Sequence, residues 1–362
     1  MDYLDKLSIV IPTYERKNYC LRSIEYWSKF PVNIYILDGS KIPIEKKIQE
    51  NFSSNINYIH SPKSLYSRMA SSTELVSTKY AAFLSDDEFF TIDGINESIK
   101  ELEKDKELVT CSGDVMGFDF KMNKVYGFNI YKGFRNYSVM QNNIYERVDY
   151  HLNQKYLPTS LYGISRTSFW KEAVKLTFRK EYTCYAIWEI QMESFLHFFG
   201  KSKVIDELFW LRSSESEPIR GTSSSMTTEN FFHIWWEKDE FKEERKEFLN
   251  SFSEINSIFK MNLHNLNEEI FKIFSEYARK DKKLRKKYEL QEKKYNFPIK
   301  KFITKFFLLF PNLKIFIKRI LKKDYSKDPV EINNFIKNLK QKKIGVNYQN
   351  INDIQILIKK YN

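Results

Sequence analysis

The chain has 362 residues, 42% hydrophobic and 29% charged, which suffices for one large globular domain or two medium ones with a sizeable buried core. Its net charge of +12 is uneven: residues 278–362 hold 24 Lys/Arg against 7 Asp/Glu, or +17, leaving about −5 (12 − 17) for the remainder. Three widely separated cysteines exclude a disulfide framework and fit a reducing compartment, acidic residues ahead of a short first apolar run exclude a secretory signal, and no run approaches the roughly 18 apolar residues of a membrane-spanning helix.

The segment Leu7–Pro12 is an apolar, β-branched run stopped by proline and predicts a buried strand. Leu21, Ile24 and Trp27 recur at helical spacing within 19–29. A second strand over Val32–Leu37 ends in the turn residues Asp38, Gly39 and Ser40. Ile56–Ile59 predicts a third strand, 64–78 a helix, and Tyr80–Leu84 a fourth strand that stops at Ser85, Asp86, Asp87 and Glu88. Strand and helix alternating over a hundred residues imply a mainly parallel α/β sheet, in which ligands bind beyond the carboxyl ends of strands. Thr13, Asp38 and Asp86 all fall at such ends. Strands are also expected at 109–111 and 160–164, a polar loop at 213–228, and charge-laced helices over 231–252 and 268–294.

The acidic turn carries the clearest chemistry. Adjacent carboxylates delivered by an apolar strand offer the hard oxygen ligands that Mn²⁺ or Mg²⁺ prefers, and such an ion neutralises a diphosphate. The same residues would also serve as a solvated turn capping a helix N-terminus. Read with its neighbours, the turn resembles part of a known pattern. Ser8-Ile-Val-Ile-Pro12-Thr13-Tyr14 with Arg16, Ile36-Leu37-Asp38-Gly39-Ser40, Tyr66-Ser-Arg68 and Phe83-Leu-Ser-Asp86-Asp87-Glu88 are similar, in this order, to the elements of family 2 glycosyltransferases. That resemblance implies a GT-A fold: a Rossmann-like, mainly parallel α/β sheet of the nucleotide-diphospho-sugar transferase type over 1–228, followed here by a helical, basic C-terminal extension over 229–362.

The resemblance also implies roles. Pro12, Thr13, Tyr14, Arg16, Asp38, Arg68 and Asp86 would bind the nucleotide, with Asp86 on ribose or on Arg68; Asp87 would ligate the metal and Glu88 assist. Leu37 stands where the family has the first of two aspartates. Inverting members take the acceptor proton with an acid at the start of a later helix, and Glu189 in Ile187-Trp188-Glu189-Ile190 occupies that place, although the family usually has Asp. Glu189 is thus the expected base and Glu193, one turn on, its rival; a surface glutamate on an amphipathic helix is the alternative. Pro158–Gly163 resembles the acceptor-side loop, with Gly163 allowing close backbone approach. Arg212 and Arg220 border the polar loop, which either closes over the diphosphate or is a plain linker. The five histidines are scattered without ligand spacing and read as packed or surface residues.

In the tail, Ile303, Phe306, Phe307 and Phe310 share one helical face flanked by lysines, as in an interfacial helix on anionic lipid; a cap packed on the catalytic domain fits equally. No nucleic-acid motif accompanies the charge. The expectation is a metal-dependent, inverting glycosyltransferase, cytoplasmic or peripheral on the inner face of the membrane. It would move a sugar from a nucleotide-sugar donor to a glycan or lipid-linked glycan of the cell surface. A catalytically inactive glycan-binding or scaffold protein and a nucleotidyltransferase are the alternatives. The nucleotidyltransferase would call for a glycine-rich phosphate loop that Pro12–Arg16 does not supply.

Overall fold

The computed structural model describes residues 3–131, 133–154, 156–215, 231–261, 263–295 and 329–362. Arg220, most of the polar stretch 213–228 and the lysine-flanked helices expected at 302–310 and 313–323 lie outside the described residues.

The first ninety residues alternate strand and helix. They form β1 (Leu7–Thr13), α1 (Lys17–Trp27), β2 (Asn33–Asp38), α2 (Lys46–Gln49), β3 (Ile56–His60), α3 (Leu65–Leu75), β4 (Tyr80–Phe83) and β5 (Phe89–Phe90). There follow α4 (Ile92–Lys104), β6 (Leu108–Lys121), β7 (Lys124–Phe128), β8 (Ser138–Val139), α5 (Ile144–Asp149), a π-helical turn at Tyr150–Gln154, β9 (Ile164–Arg166), α6 (Thr167–Thr177), α7 (Ile187–Phe199) and β10 (Lys201–Ser213). The last elements are α8 (Phe232–Glu237), α9 (Lys242–Ile258), α10 (Leu266–Tyr295), β11 (Val330–Glu331), α11 (Ile332–Gln341) and α12 (Tyr348–Tyr361).

One sheet runs in the order β11-β7-β6-β9-β4-β1-β2-β3, with β10 lying along β6. Its central run β4-β1-β2-β3 is parallel, as the short strands and intervening helices require. Beyond β4 the pairing is mixed: β9 and β7 run antiparallel to β6, and β10 parallel to it. Successive side chains of β1 alternate between two cores: Leu7, Ile9 and Ile11 enter one together with α1, α4, α11 and α12, whereas Val10 enters the other with α3, α6, α7 and α8–α10. Burial on both faces explains why β1 reads as a continuous apolar run rather than an alternating one.

Local chemistry sets the helix starts. The Ser64 hydroxyl accepts from Ser67 N (3.3 Å) to begin α3, Thr91 accepts from Gly94 N (3.2 Å) to begin α4, and Asn143 caps α5. The C-terminal region, expected as helices, also contributes to the sheet: β11 pairs antiparallel with the edge strand β7. Helix α11 lies over β7 so closely that a Cβ on Gly127 would stand 3.0 Å from the Phe335 ring, and α12 lies on α1, where Lys360 and Tyr361 bind Glu25 (2.6 Å each). A single apolar layer thus covers β1 and these two helices, which is why residues 329–362 follow the first half of the chain rather than standing apart from it.

Candidate active site

Parallel pairing brings three strand ends level. Thr13 at the end of β1 stands opposite Asp38 at the end of β2, and β4 on the other side delivers Asp86–Glu88 at the same height. Thr13 Oγ1 donates to Asp86 Oδ2 (2.7 Å). The turn after β1 is preset: Glu15 adopts φ 55°, a left-handed conformation uncommon for a non-glycine residue, and its N–H donates to Ser40 Oγ (2.7 Å). This turn aims Arg16 back at the acids. Its guanidinium spans both aspartates, Nη1 to Asp86 Oδ1 at 2.9 Å and Nη2 to Asp87 Oδ2 at 2.5 Å, and lies 4.6 Å from the Tyr19 ring centroid.

Asp38 is buried, accepting from Ser40 N (2.8 Å) and from the Tyr58 hydroxyl (2.5 Å). Arg68, whose guanidinium feels the charges of Asp38 and Asp86, donates to the strand-end carbonyls Thr13 O (2.8 Å) and Leu37 O and to Lys63 O (3.2 Å). Asp86 takes its bonds from Thr13 at the end of the adjacent strand β1 and from Arg16 at the start of α1. Gly39 makes room for this: a Cβ there would lie 2.5 Å from Arg68 Cζ. Pro12 pairs with Leu37 in register, and Tyr14 is exposed beside the acids' side of the turn.

Glu88 turns inward, where Trp210 Nε1 donates to its Oε2 (2.8 Å) and Arg212 Nε stands 3.7 Å from Oε1. Burial, with the Asp87 charge adding to it, pushes the Glu88 carboxyl up to about 8; burial likewise raises Asp86, against the opposing pull of Arg16. For Arg16 burial works to lower the guanidinium, and the two aspartates outweigh it. Three carboxylates meet here beside the bidentate Arg16, with Arg212 3.7 Å from Glu88 and Arg22 and Arg68 near enough for their charges to interact with Asp86. The cluster is rich in hard oxygen donors, and a divalent cation of the Mg²⁺ or Mn²⁺ kind fits that donor set.

Glu189 lies in the first turn of α7, partly buried, and its Oε1 accepts from the Tyr156 hydroxyl (2.9 Å). Burial raises its carboxyl to about 7; the Tyr156 bond opposes the rise and Glu193 adds to it. Near both Glu189 and the acidic turn stands Tyr162, whose phenol is raised by burial and then by the charges of Glu88 and Glu189. Tyr162 stacks on Trp210 (4.2 Å) and meets Phe83 edge-on (5.5 Å), and Phe83 in turn touches Trp188 (5.9 Å), so an aromatic wall links the two acidic groups. Gly163 next to it has no room for a side chain: a Cβ would lie 2.7 Å from Thr159 O. Glu193 points the other way, into a sealed site, where its carboxylate accepts from Ser160 N (3.1 Å) and Leu161 N (2.7 Å).

Several residues at this site escaped the sequence reading. Arg22 reads as the polar face of α1, yet it is fully buried; its Nη2 donates to Asp87 O (2.9 Å) and pairs with Glu215 (2.8 Å). Tyr156 carried no local signal, since a large aromatic in a loop looks like core; Tyr162 fell within the acceptor-side segment Pro158–Gly163 but was given no role of its own, and neither was Trp210.

Residues 8–169 match the family model described as Glycosyl transferase family 2. No curated protein matches the chain by sequence. Among solved structures, the chain is similar to S. aureus TarS 1–349, at 11% identity over 79% of this chain and 92% of that one, with a TM-score of 0.40. It is similar also to the same protein in complex with UDP-GlcNAc, at 12% identity over 79% and 92% with a TM-score of 0.44, and to a longer TarS, at 12% identity over 78% and 53% with a TM-score of 0.40.

Proposed function

The chain carries a glycosyl transferase family 2 domain at residues 8–169, and on that premise we propose that it transfers a sugar from a nucleotide-diphosphate donor to a hydroxyl of a cell-surface glycan, with inversion. The observation that supports this reading is the placement of two acidic groups near Tyr162: the Asp86–Glu88 turn and the partly exposed Glu189. In this reading Asp38, Arg68, Thr13 and Pro12 form the nucleoside pocket at the ends of β1 and β2. Arg68 fixes the two strand ends and thereby the pocket walls, while Tyr14 and Arg16 border it and Asp86 orients the ribose side. A cation held by Asp87, with Glu88 beside it, would supply charge neutralisation of the departing diphosphate. Arg16, a fork-shaped donor paired here with Asp86 and Asp87, lies where it could also bind the phosphates of a donor. Arg212, 3.7 Å from Glu88, adds positive charge on the same side.

Glu189 takes the proton from the acceptor hydroxyl. A carboxylate near pH 7 in its affinity for protons suits that task, because it is ionised at working pH and still basic enough to accept. Tyr156 holds it in place and favours its charged form. The aromatic wall of Tyr162 and Trp210 offers the apolar face of a sugar ring a surface to lie on. Association of the basic tail with anionic lipid would bring the enzyme to a lipid-linked acceptor, and among the described residues no helix is long and apolar enough to cross a membrane.

The test is release of nucleoside diphosphate from a panel of nucleotide sugars, UDP-GlcNAc among them, with Mn²⁺ or Mg²⁺. Release from one donor, abolished by EDTA and in Asp87→Ala, is expected. No release and no metal-dependent binding of any donor would overturn the reading and leave a glycan-binding protein.

A further inference from the structure

His151, Glu193 and His197 meet in the interior, each fully buried. They come from two elements: His151 from the π-helical turn after α5, and Glu193 and His197 from successive turns of α7. His151 Nε2 stands 3.3 Å and His197 Nε2 3.5 Å from the same carboxylate oxygen, Glu193 Oε2. A tetrahedral ion with bonds of about 2.0–2.1 Å to nitrogen and oxygen sets neighbouring ligand atoms roughly 3.3–3.4 Å apart. The two nitrogen–oxygen separations already match that spacing, and all three ligand atoms lie within 4.8 Å of one another.

A hydrogen-bonded cluster is the competing account, and the geometry argues against it. His151 Nε2 makes no aligned hydrogen bond despite facing the carboxylate. The other nitrogen of that ring is engaged, with Nδ1 2.9 Å from the Tyr137 hydroxyl, the outer partner that orients a metal-bound imidazole. Glu193 Oε1 is anchored by the Ser160 and Leu161 N–H groups, while Oε2, which shares the Ser160 N–H at 3.3 Å, faces the two rings. The His197 ring is fixed by packing on His151, with centroids 4.0 Å apart. Ser160 Oγ shares a hydrogen bond with His197 Nε2 at 3.2 Å, a separation that two ligands of one ion would also have. Arg147, the nearest guanidinium, donates to the carbonyls of His197, Phe198, Gln141 and Asn142 and leaves the carboxylate without a cationic partner. A carboxylate sealed from water in that way is costly unless a positive charge meets it.

We propose that His151, Glu193 and His197 bind a structural zinc ion, separate from the cation at the acidic turn, with the Ser160 hydroxyl or a water in the fourth position. Imidazole and carboxylate in a closed, small site favour zinc over the harder ions that suit Asp86–Glu88. The ion would tie the π-helical turn, the loop at Thr159–Leu161 and α7 together. Glu189 lies on α7 and its partner Tyr156 between the π-helical turn and that loop, so the zinc holds the base and the acceptor-side loop in one frame.

The experiment is metal analysis of the purified full chain after exhaustive exposure to EDTA in the native state. One zinc per chain is expected in the wild type and equally in Asp87→Ala, and none in His151→Gln/His197→Gln. Should that double variant fail to fold, the wild type decides: zinc-edge X-ray absorption shows scattering from two imidazoles per ion, and protein refolded with Co²⁺ shows the visible bands of a tetrahedral site. A wild type that holds no zinc after refolding in its presence, zinc that persists in the double variant, or zinc lost with Asp87→Ala alone would each overturn the assignment.

Discussion

Glu189 and Glu193 sit one turn apart on the same helix, and burial raises both carboxyls to about 7. Their surroundings nevertheless give them opposite tasks. Glu189 is reached by solvent at the rim and has one neutral partner, the Tyr156 hydroxyl, which leaves lone pairs for an incoming proton. Glu193 is sealed, with one oxygen fixed by two backbone N–H groups and the other sharing the Ser160 N–H and facing two imidazoles. Residue type, helix position and proton affinity are shared between them. Access and partner count decide which one can do chemistry and which one holds the frame.

The strongest way to break this contrast is to neutralise each acid in turn. Glu189→Gln should lower turnover by about 10²–10⁴-fold, the usual contribution of a general base, with the melting temperature unchanged. Glu193→Gln should lower the melting temperature, and turnover measured on the folded fraction should stay within a few-fold of wild type by the same reasoning. A large turnover loss in folded Glu193→Gln, with Glu189→Gln active, would exchange the two roles. Next in size is Asp87→Ala, for which loss of one electrostatic contact to the leaving group predicts roughly a 10²–10³-fold fall in turnover. Gly39→Ala is a subtler attack on the donor pocket. Its Cβ would press on the Arg68 guanidinium, and the donor KM should rise more than kcat falls, read from initial rates against donor concentration.

Proton linkage sharpens the comparison further. A base must be ionised to act, so a group raised to about 7 makes turnover increase with pH through that region, a limb that Glu189→Gln should lack. Tyr156→Phe removes the bond that favours the charged carboxylate. The limb should move to higher pH by about one unit, with turnover above it little changed. A profile that does not move would mean that Tyr156 only packs.

The parallel half of the sheet was legible in the sequence because each strand there is a short apolar run closed by turn chemistry, as in Leu7–Pro12 and Tyr80–Leu84. The strand-end residues Thr13, Asp38 and Asp86 were legible with it, since parallel strands put their functional residues at one edge. Other features are set by tertiary packing. The 14-residue strand β6 was readable only at 109–111, because residues 112–121 mix glycine, acids and aromatics that three neighbouring strands stabilise. The expected strand at 160–164 shrinks to Ile164–Arg166 because Glu193 holds the backbone of Ser160 and Leu161 in a loop. His151 and His197 looked scattered because their meeting depends on a π-helical turn folding onto α7, which no local spacing records. The hydrogen bonds of Arg68 to the strand-end carbonyls depend likewise on the space left by Gly39.

The most direct test of the central claim, that donor binding and proton transfer are divided between the acidic turn and Glu189, is calorimetric titration of the nucleoside diphosphate with Mn²⁺ into three proteins, paired with turnover of the matching sugar donor. The account predicts that wild type and Glu189→Gln bind alike, that Asp87→Ala loses metal-dependent binding, and that only wild type turns over. Turnover retained by Glu189→Gln, or binding by Asp87→Ala equal to wild type, would contradict it.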